Sequence, residues 1–280
     1  MIDFTKRWLM SAMSALGFVS ANPAAAQLDT SSFAEELKDF PYEFITVDGA
    51  MAEAEWLRLT TAGRGWPVVV GGDDNLRIMA EVFAFNSEDP NHTPAAILKA
   101  AEAIKFPEDL KAWHDAYDLS VMEKDFVGEW PTDLEPYDLG ISVATDIADC
   151  LGGIAGNELT GKFLPKVHIV LVPTDKSWET PAYLKWGGGN ECPPAEYHVA
   201  RLKLWHENFG ADVAGMSGDV LNLRVRKPVQ EKAEAIAVAK EQFLYCSDIV
   251  LQGTNDIATL AATLVGQRYW YFWWNYAPGD

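Results

Sequence analysis

The chain has 280 residues, 49% of them hydrophobic, with 11 Trp, so it can bury a sizeable core and is not a disordered composition. Its 22 basic residues against 41 acidic ones leave a formal charge of −19, which argues against nucleic acid and anionic lipid as partners, because phosphate contacts need a basic face. The same excess of carboxylates favours solubility, or the binding of something basic.

Residues 1–26 read as an export signal. Lys6 and Arg7 form a short positive region, Trp8 to Ala21 is apolar and small, and Ala24-Ala25-Ala26 offers a cleavage site before Gln27. Thr5-Lys6-Arg7-Trp8-Leu9-Met10 also resembles a twin-arginine signal with Lys in the first slot. This points to a periplasmic or secreted protein; an amphipathic N-terminal helix on a cytoplasmic protein is the alternative. The apolar stretch is too short for a spanning helix, and no membrane span is expected elsewhere.

Tyr42 to Val47 alternates and predicts a strand, turned by Asp48-Gly49. Met51 to Leu59 predicts a helix with Met51, Ala54, Glu55 and Leu59 near one stripe. Trp66 to Gly71 is a short apolar strand, and Asp73 or Asp74 is expected to cap a helix over 75–85. Pro94 opens a helix over 95–104, and 110–119 continues helically. The stretch 138–151 admits strand then helix. Gly152 to Gly161, with four glycines, is the expected boundary between an N-terminal α/β lobe (27–160) and a C-terminal domain (161–280), two lobes that can share one core.

Val167 to Val172 is a continuous apolar run, hence a buried strand. Ala195 to Phe209 predicts a helix that Gly210 ends. Asp212 to Met216 and Asp219 to Arg226 predict a hairpin through Ser217-Gly218. In its second strand Leu221, Leu223 and Val225 alternate with Asn222, Arg224 and Arg226, which implies one covered face and one wet face. Residues 230–245 predict a helix, 248–252 a short helical turn, and Thr254 or Asn255 a cap for a helix over 257–265. Tyr269 to Trp274 is six aromatic residues in a row. Such a run is too costly to leave in water, at roughly 2–3 kcal/mol per buried ring. It predicts a strand in the middle of the sheet, sending Trp270, Phe272 and Trp274 to one face. The expected fold is α+β (mixed α/β): one mixed, largely antiparallel sheet flanked by helices around a central C-terminal aromatic strand.

The motifs Pro181-Ala182-Tyr183-Leu184-Lys185-Trp186-Gly187 and Asn190-Glu191-Cys192-Pro193 resemble the bacterial domain of unknown function 4253 family. The resemblance continues through His198-Val199-Ala200, Trp205-His206-Glu207, Tyr245-Cys246-Ser247-Asp248-Ile249-Val250 and Gln252-Gly253 to Trp270-Tyr271-Phe272-Trp273-Trp274. It covers roughly residues 167 to 275 and implies a fold without supplying a reaction. Asn275 stands where many members end in Asp.

His198, Arg201 and Trp205 lie within about 60° of one another on their helix, beside the Gly-rich loop holding Asn190. With Cys246, Asp248, Gln252 and Trp274 they make a candidate pocket, where a histidine beside an arginine suits acid–base work on an anion. The competing expectation is that His198 and Trp205 pack into the core while Arg201 pairs with a carboxylate such as Asp248. Cys150, Cys192 and Cys246 show no CxxC spacing, and His206-Glu207 lacks the HExxH step, so neither metal nor cofactor is expected. Arg224, Arg226 and Lys227 read as a charged strand edge.

Three functions fit these residues: a non-catalytic, immunity-like binding protein whose acidic surface covers a basic protein; a small-molecule hydrolase or other enzyme using the His/Arg/Asp pocket; and an exported carbohydrate-binding protein using exposed tryptophans.

Overall fold

The structure, a computed structural model, describes residues 33, 35–115, 123–132, 151, 153–157, 162–189 and 192–275. The leader-like segment, Cys150, Asn190 and the end of the helix expected over 110–119 lie outside the described residues.

The fold is α+β, with one mixed six-stranded sheet. Its strands are β1 (Phe44–Val47), β2 (Trp66–Gly71), β5 (Val167–Val172), β6 (Ala211–Met216), β7 (Val220–Val225) and β8 (Tyr269–Trp273), in the order β1-β5-β2-β6-β7-β8. A separate small ladder pairs β3 (Gly156–Asn157) with β4 (Lys162–Phe163). Neighbours run antiparallel except β2 and β6, which are parallel through Val69 and Gly215. All six residues of β5 are buried, His168 among five apolar ones, as befits a strand covered on both faces. Because β5 lies between β1 and β2, the sheet interleaves strands from both sides of the glycine-rich stretch at 152–161.

Helices cover both faces. On one face α1 (Ala52–Leu59) packs through Ala52, Trp56 and Leu59 against a core holding Val69, Ile169 and Ala214. The stripe expected around Met51 is corrected by this, since Met51 is 57% exposed and the buried residues follow an i, i+4, i+7 spacing. Trp56 fixes the face by donating its Nε1 to the Pro67 carbonyl at 2.9 Å. The opposite face is covered by α6 (Ala195–Phe209) and α7 (Lys232–Tyr245), whose Trp205 and Tyr245 meet the rings of β8. The short α5 (Thr180–Leu184) and α3 (Pro94–Ala101) pack on α6 through Ala182, Ile97 and Val199. Pro94 stands at the start of α3, where Thr93 caps by accepting from Ala96 N.

The aromatic run is extended, and it sends Trp270, Phe272 and Trp274 into the core as expected. Its place in the sheet is corrected: among the described residues β8 is an edge strand, paired to β7 alone. At the end of this edge Cys246 Sγ donates to the Trp273 carbonyl at 3.0 Å, which occupies one of the acceptors an edge strand would offer. Strand β7 is likewise corrected. It has neighbours on both sides, so it is no edge, and Asn222 is buried with the leucines; Arg224 is partly exposed, and only Arg226 and Lys227, past the end of the strand, are exposed. Arg224 approaches Glu53 of α1 at 4.0 Å, and Arg226 approaches Asp212 at 3.4 Å.

Two caps also differ from expectation. Gly72 occupies the N-cap of α2 (Asp73–Asn86), and Asp73 spends its carboxylate on Lys166 and His168 instead. Asp256 caps α8 (Ile257–Leu264), accepting from Thr259 N at 2.7 Å, because the turn at 248–252 runs on as a π-helical segment, Ile249–Thr254, that ends at Asn255 in the left-handed region.

Candidate functional site: a sealed histidine and its neighbours

The centre of the resemblance motifs is a loop that folds back onto α6. Lys185 ends α5 in the left-handed region, and Trp186 and Gly187 follow. Gly187 has φ +107, and a Cβ there would sit 2.4 Å from the Pro193 carbonyl oxygen and 2.7 Å from His198 Nε2. Only glycine permits that approach. The loop therefore closes directly over the histidine.

His198 is fully buried. Its ring contacts Trp186, Tyr245 and Trp274, with centroids 4.6, 5.3 and 5.5 Å away. The Tyr245 hydroxyl bonds to Nδ1, and Cys192 Sγ lies 3.3 Å from Nε2. The Pro193 carbonyl also bonds to the ring, which suits a neutral imidazole carrying its proton on Nε2, with Tyr245 donating to Nδ1. Burial pushes His198 down to about 3, against a smaller opposing pull from that carbonyl. Burial also pushes the thiol of Cys192 and the phenol of Tyr245 up. Every member of the group is thus held uncharged, the reverse of what a thiolate–imidazolium centre needs.

Arg201 stands one turn further along α6 and is also buried. It pairs with Glu241 of α7, which corrects the expected pairing with Asp248. Its guanidinium lies over the Trp205 ring at 4.6 Å and the Phe106 ring at 5.3 Å, and Trp205 Nε1 donates to the same Glu241 carboxylate at 3.1 Å. Asp248 instead accepts from the backbone of Asn275 at 2.8 Å and from Gln252 Nε2 at 2.9 Å, which ties the π-helical turn to the residues after β8.

The structure therefore brings His198, Trp205 and Trp274 together around Tyr245. Cys246, Asp248 and Gln252 form an adjoining group that fastens Trp273 and Asn275. Trp270 and Trp274 are buried, while Trp273 is partly buried and donates its Nε1 to Asp219 at 3.2 Å. Cys192 and Tyr245 are central here, yet the candidate pocket omitted both. The spacing of Cys192, six residues before His198 in a glycine-led turn, was the available signal; helix periodicity could not use it.

One histidine of the same helix does reach the surface. His206 Nδ1 donates to Asp212 at 2.7 Å, and Ser177 Oγ donates to the same oxygen at 2.7 Å. Trp178 lies against the imidazole at 4.4 Å. Among the described residues no group of three or more His, Cys, Asp or Glu side chains is placed to hold a metal ion, and no helix is long and apolar enough to cross a membrane.

The DUF4253 family model, described as a domain of unknown function, matches residues 168–275. Residues 168–275 belong to the DUF4253 family. The DUF4253 segment starts in β5 and ends at Asn275, so it contains the sealed histidine, its aromatic cage and the Arg201–Glu241 pair. Strands β1 and β2, which flank β5, lie outside it. No curated protein and no solved structure matches the chain.

Proposed function

We propose that this chain is a protein-binding protein of the immunity or antitoxin kind, whose acidic surface covers a basic protein. The observation that carries the reading is the formal charge of −19, from 41 acidic residues against 22 basic ones. Such a field speeds encounter with a positive partner and repels nucleic acid and anionic lipid. The site geometry favours this reading over an enzyme built on His198. Its ring is fully buried and uncharged, and Arg201 is committed to Glu241.

The test is calorimetric titration of the full chain with each basic protein that a neighbouring gene is found to encode, against an unrelated basic protein of equal size and charge. Tighter binding to the neighbour, weakening as salt rises, supports the proposal. Equal, purely salt-driven binding to both defeats it. Residues 1–26 are proposed as an export signal in the same reading; N-terminal sequencing of the mature protein is expected to begin at Gln27.

A further inference from the structure

A second group of polar side chains stands at the opposite edge of the sheet, on β1. Thr46 of β1 is the register partner of His168 of β5, so the two side chains project from the same face. The Thr46 hydroxyl lies 2.9 Å from His168 Nδ1. His168 Nε2 lies 2.7 Å from Asp73 Oδ1, at the first turn of α2. Lys166 Nζ bonds the other oxygen of Asp73 at 2.5 Å. Thr46 is exposed, whereas His168 is 2% exposed and covered on one edge by the Phe44 ring at 5.3 Å. A hydroxyl on an exposed residue, a buried imidazole behind it and a carboxylate behind that are the three parts of an activated nucleophile.

We propose that Thr46, His168 and Asp73 form a nucleophilic array that hydrolyses small carboxylic esters through an acyl-Thr46 intermediate. This activity goes beyond the binding function and does not depend on it. Asp73 accepts the Nε2 proton of His168 and so leaves the Nδ1 lone pair facing the hydroxyl. Burial raises the Asp73 carboxyl, but hydrogen bonds from Lys166 and His168 outweigh it and hold the group below its ordinary value, hence ionised. In the first step Thr46 Oγ1 bonds to the ester carbonyl carbon while its proton passes to Nδ1 and the carbonyl electron pair moves onto oxygen. Collapse breaks the ester C–O bond, and the departing alkoxide takes the proton from Nδ1. Water then repeats the sequence on the acyl-threonine, releasing the carboxylic acid and restoring the Thr46 hydroxyl.

The test treats the full chain with p-nitrophenyl acetate, follows nitrophenol release and maps the acetyl group by peptide mass spectrometry. Acetylation at Thr46 is expected, retained in Thr46→Ser and lost in Thr46→Val. His168→Asn is expected to slow acylation on the order of 100-fold with Thr46 intact, the usual share of a general base. Circular dichroism checks that each variant folds. If His168→Asn unfolds, the exposed Thr46→Val change decides alone: unchanged nitrophenol release overturns the proposal. Acetyl groups on lysines only, or Thr46 acylation indifferent to His168→Asn, overturn it equally.

Discussion

Trp205 of α6 lies flat against Phe272 of β8, with ring centroids 5.3 Å apart and planes inclined by 16°. Both side chains are fully buried, and Trp270 and Tyr245 meet Trp205 edge-on at 5.6 and 5.1 Å. This stack joins the edge strand to its covering helices. Trp205→Ala removes the joint and leaves a cavity, so unfolding free energy in urea is expected to fall by about 3–5 kcal/mol. Phe85→Ala, at a residue 72% exposed, is expected to change it by no more than about 0.5 kcal/mol.

His198 makes stability depend on acid. Its folded value is depressed by burial from 6.5 to about 3, so the unfolded chain binds a proton that the folded chain refuses. The contribution is fully present above pH 6.5 and is lost as pH falls towards 3. Its size is on the order of 4–5 kcal/mol if no other group compensates. Urea midpoints measured across that window are expected to fall steeply. His198→Gln starts from a lower stability at neutral pH, having lost its ring contacts, and is expected to show a flatter slope.

Gly187 separates two costs that glycine avoids. Gly187→Ala forces a Cβ against the Pro193 carbonyl and His198 at positive φ, and is expected to cost about 2 kcal/mol or more. Gly63→Ala meets the φ penalty with nothing within 4 Å, and is expected to cost about 1 kcal/mol. Equal losses in thermal unfolding would show that the loop does not press on the histidine.

The Arg201–Glu241 pair is asymmetric: the Arg201 side chain is 7% exposed and that of Glu241 48%. Water reaches the carboxylate, which discounts the pair, yet Glu241→Ala leaves a buried guanidinium with less compensation. The expected cost is about 1–2 kcal/mol. Arg201→Met keeps much of the packing on Trp205 and Phe106 without the charge. In that background Glu241→Ala is expected to cost less, about 1 kcal/mol, for the Trp205 Nε1 hydrogen bond alone, and a double-mutant cycle measures the difference.

The sequence by itself determined the elements, because their signals are local. The apolar run of β5, the alternation in β1, Pro94 at the start of α3 and Gly210 after α6 each act within a few residues, and all stand where they were expected. The same holds for the alternate burial of the β8 rings, which follows from the two-residue period of any strand. What lay beyond a few residues was decided only by tertiary packing. Period two cannot say whether a strand has one neighbour or two, so the aromatic run reads as central although, among the described residues, it borders β7 alone. Helix geometry grouped His198 with Arg201, but Tyr245 and Cys192 captured the first and Glu241 the second, from 47, 6 and 40 residues away. A buried polar group takes whichever partner the fold brings within hydrogen-bond reach, and sequence spacing carries no record of that choice.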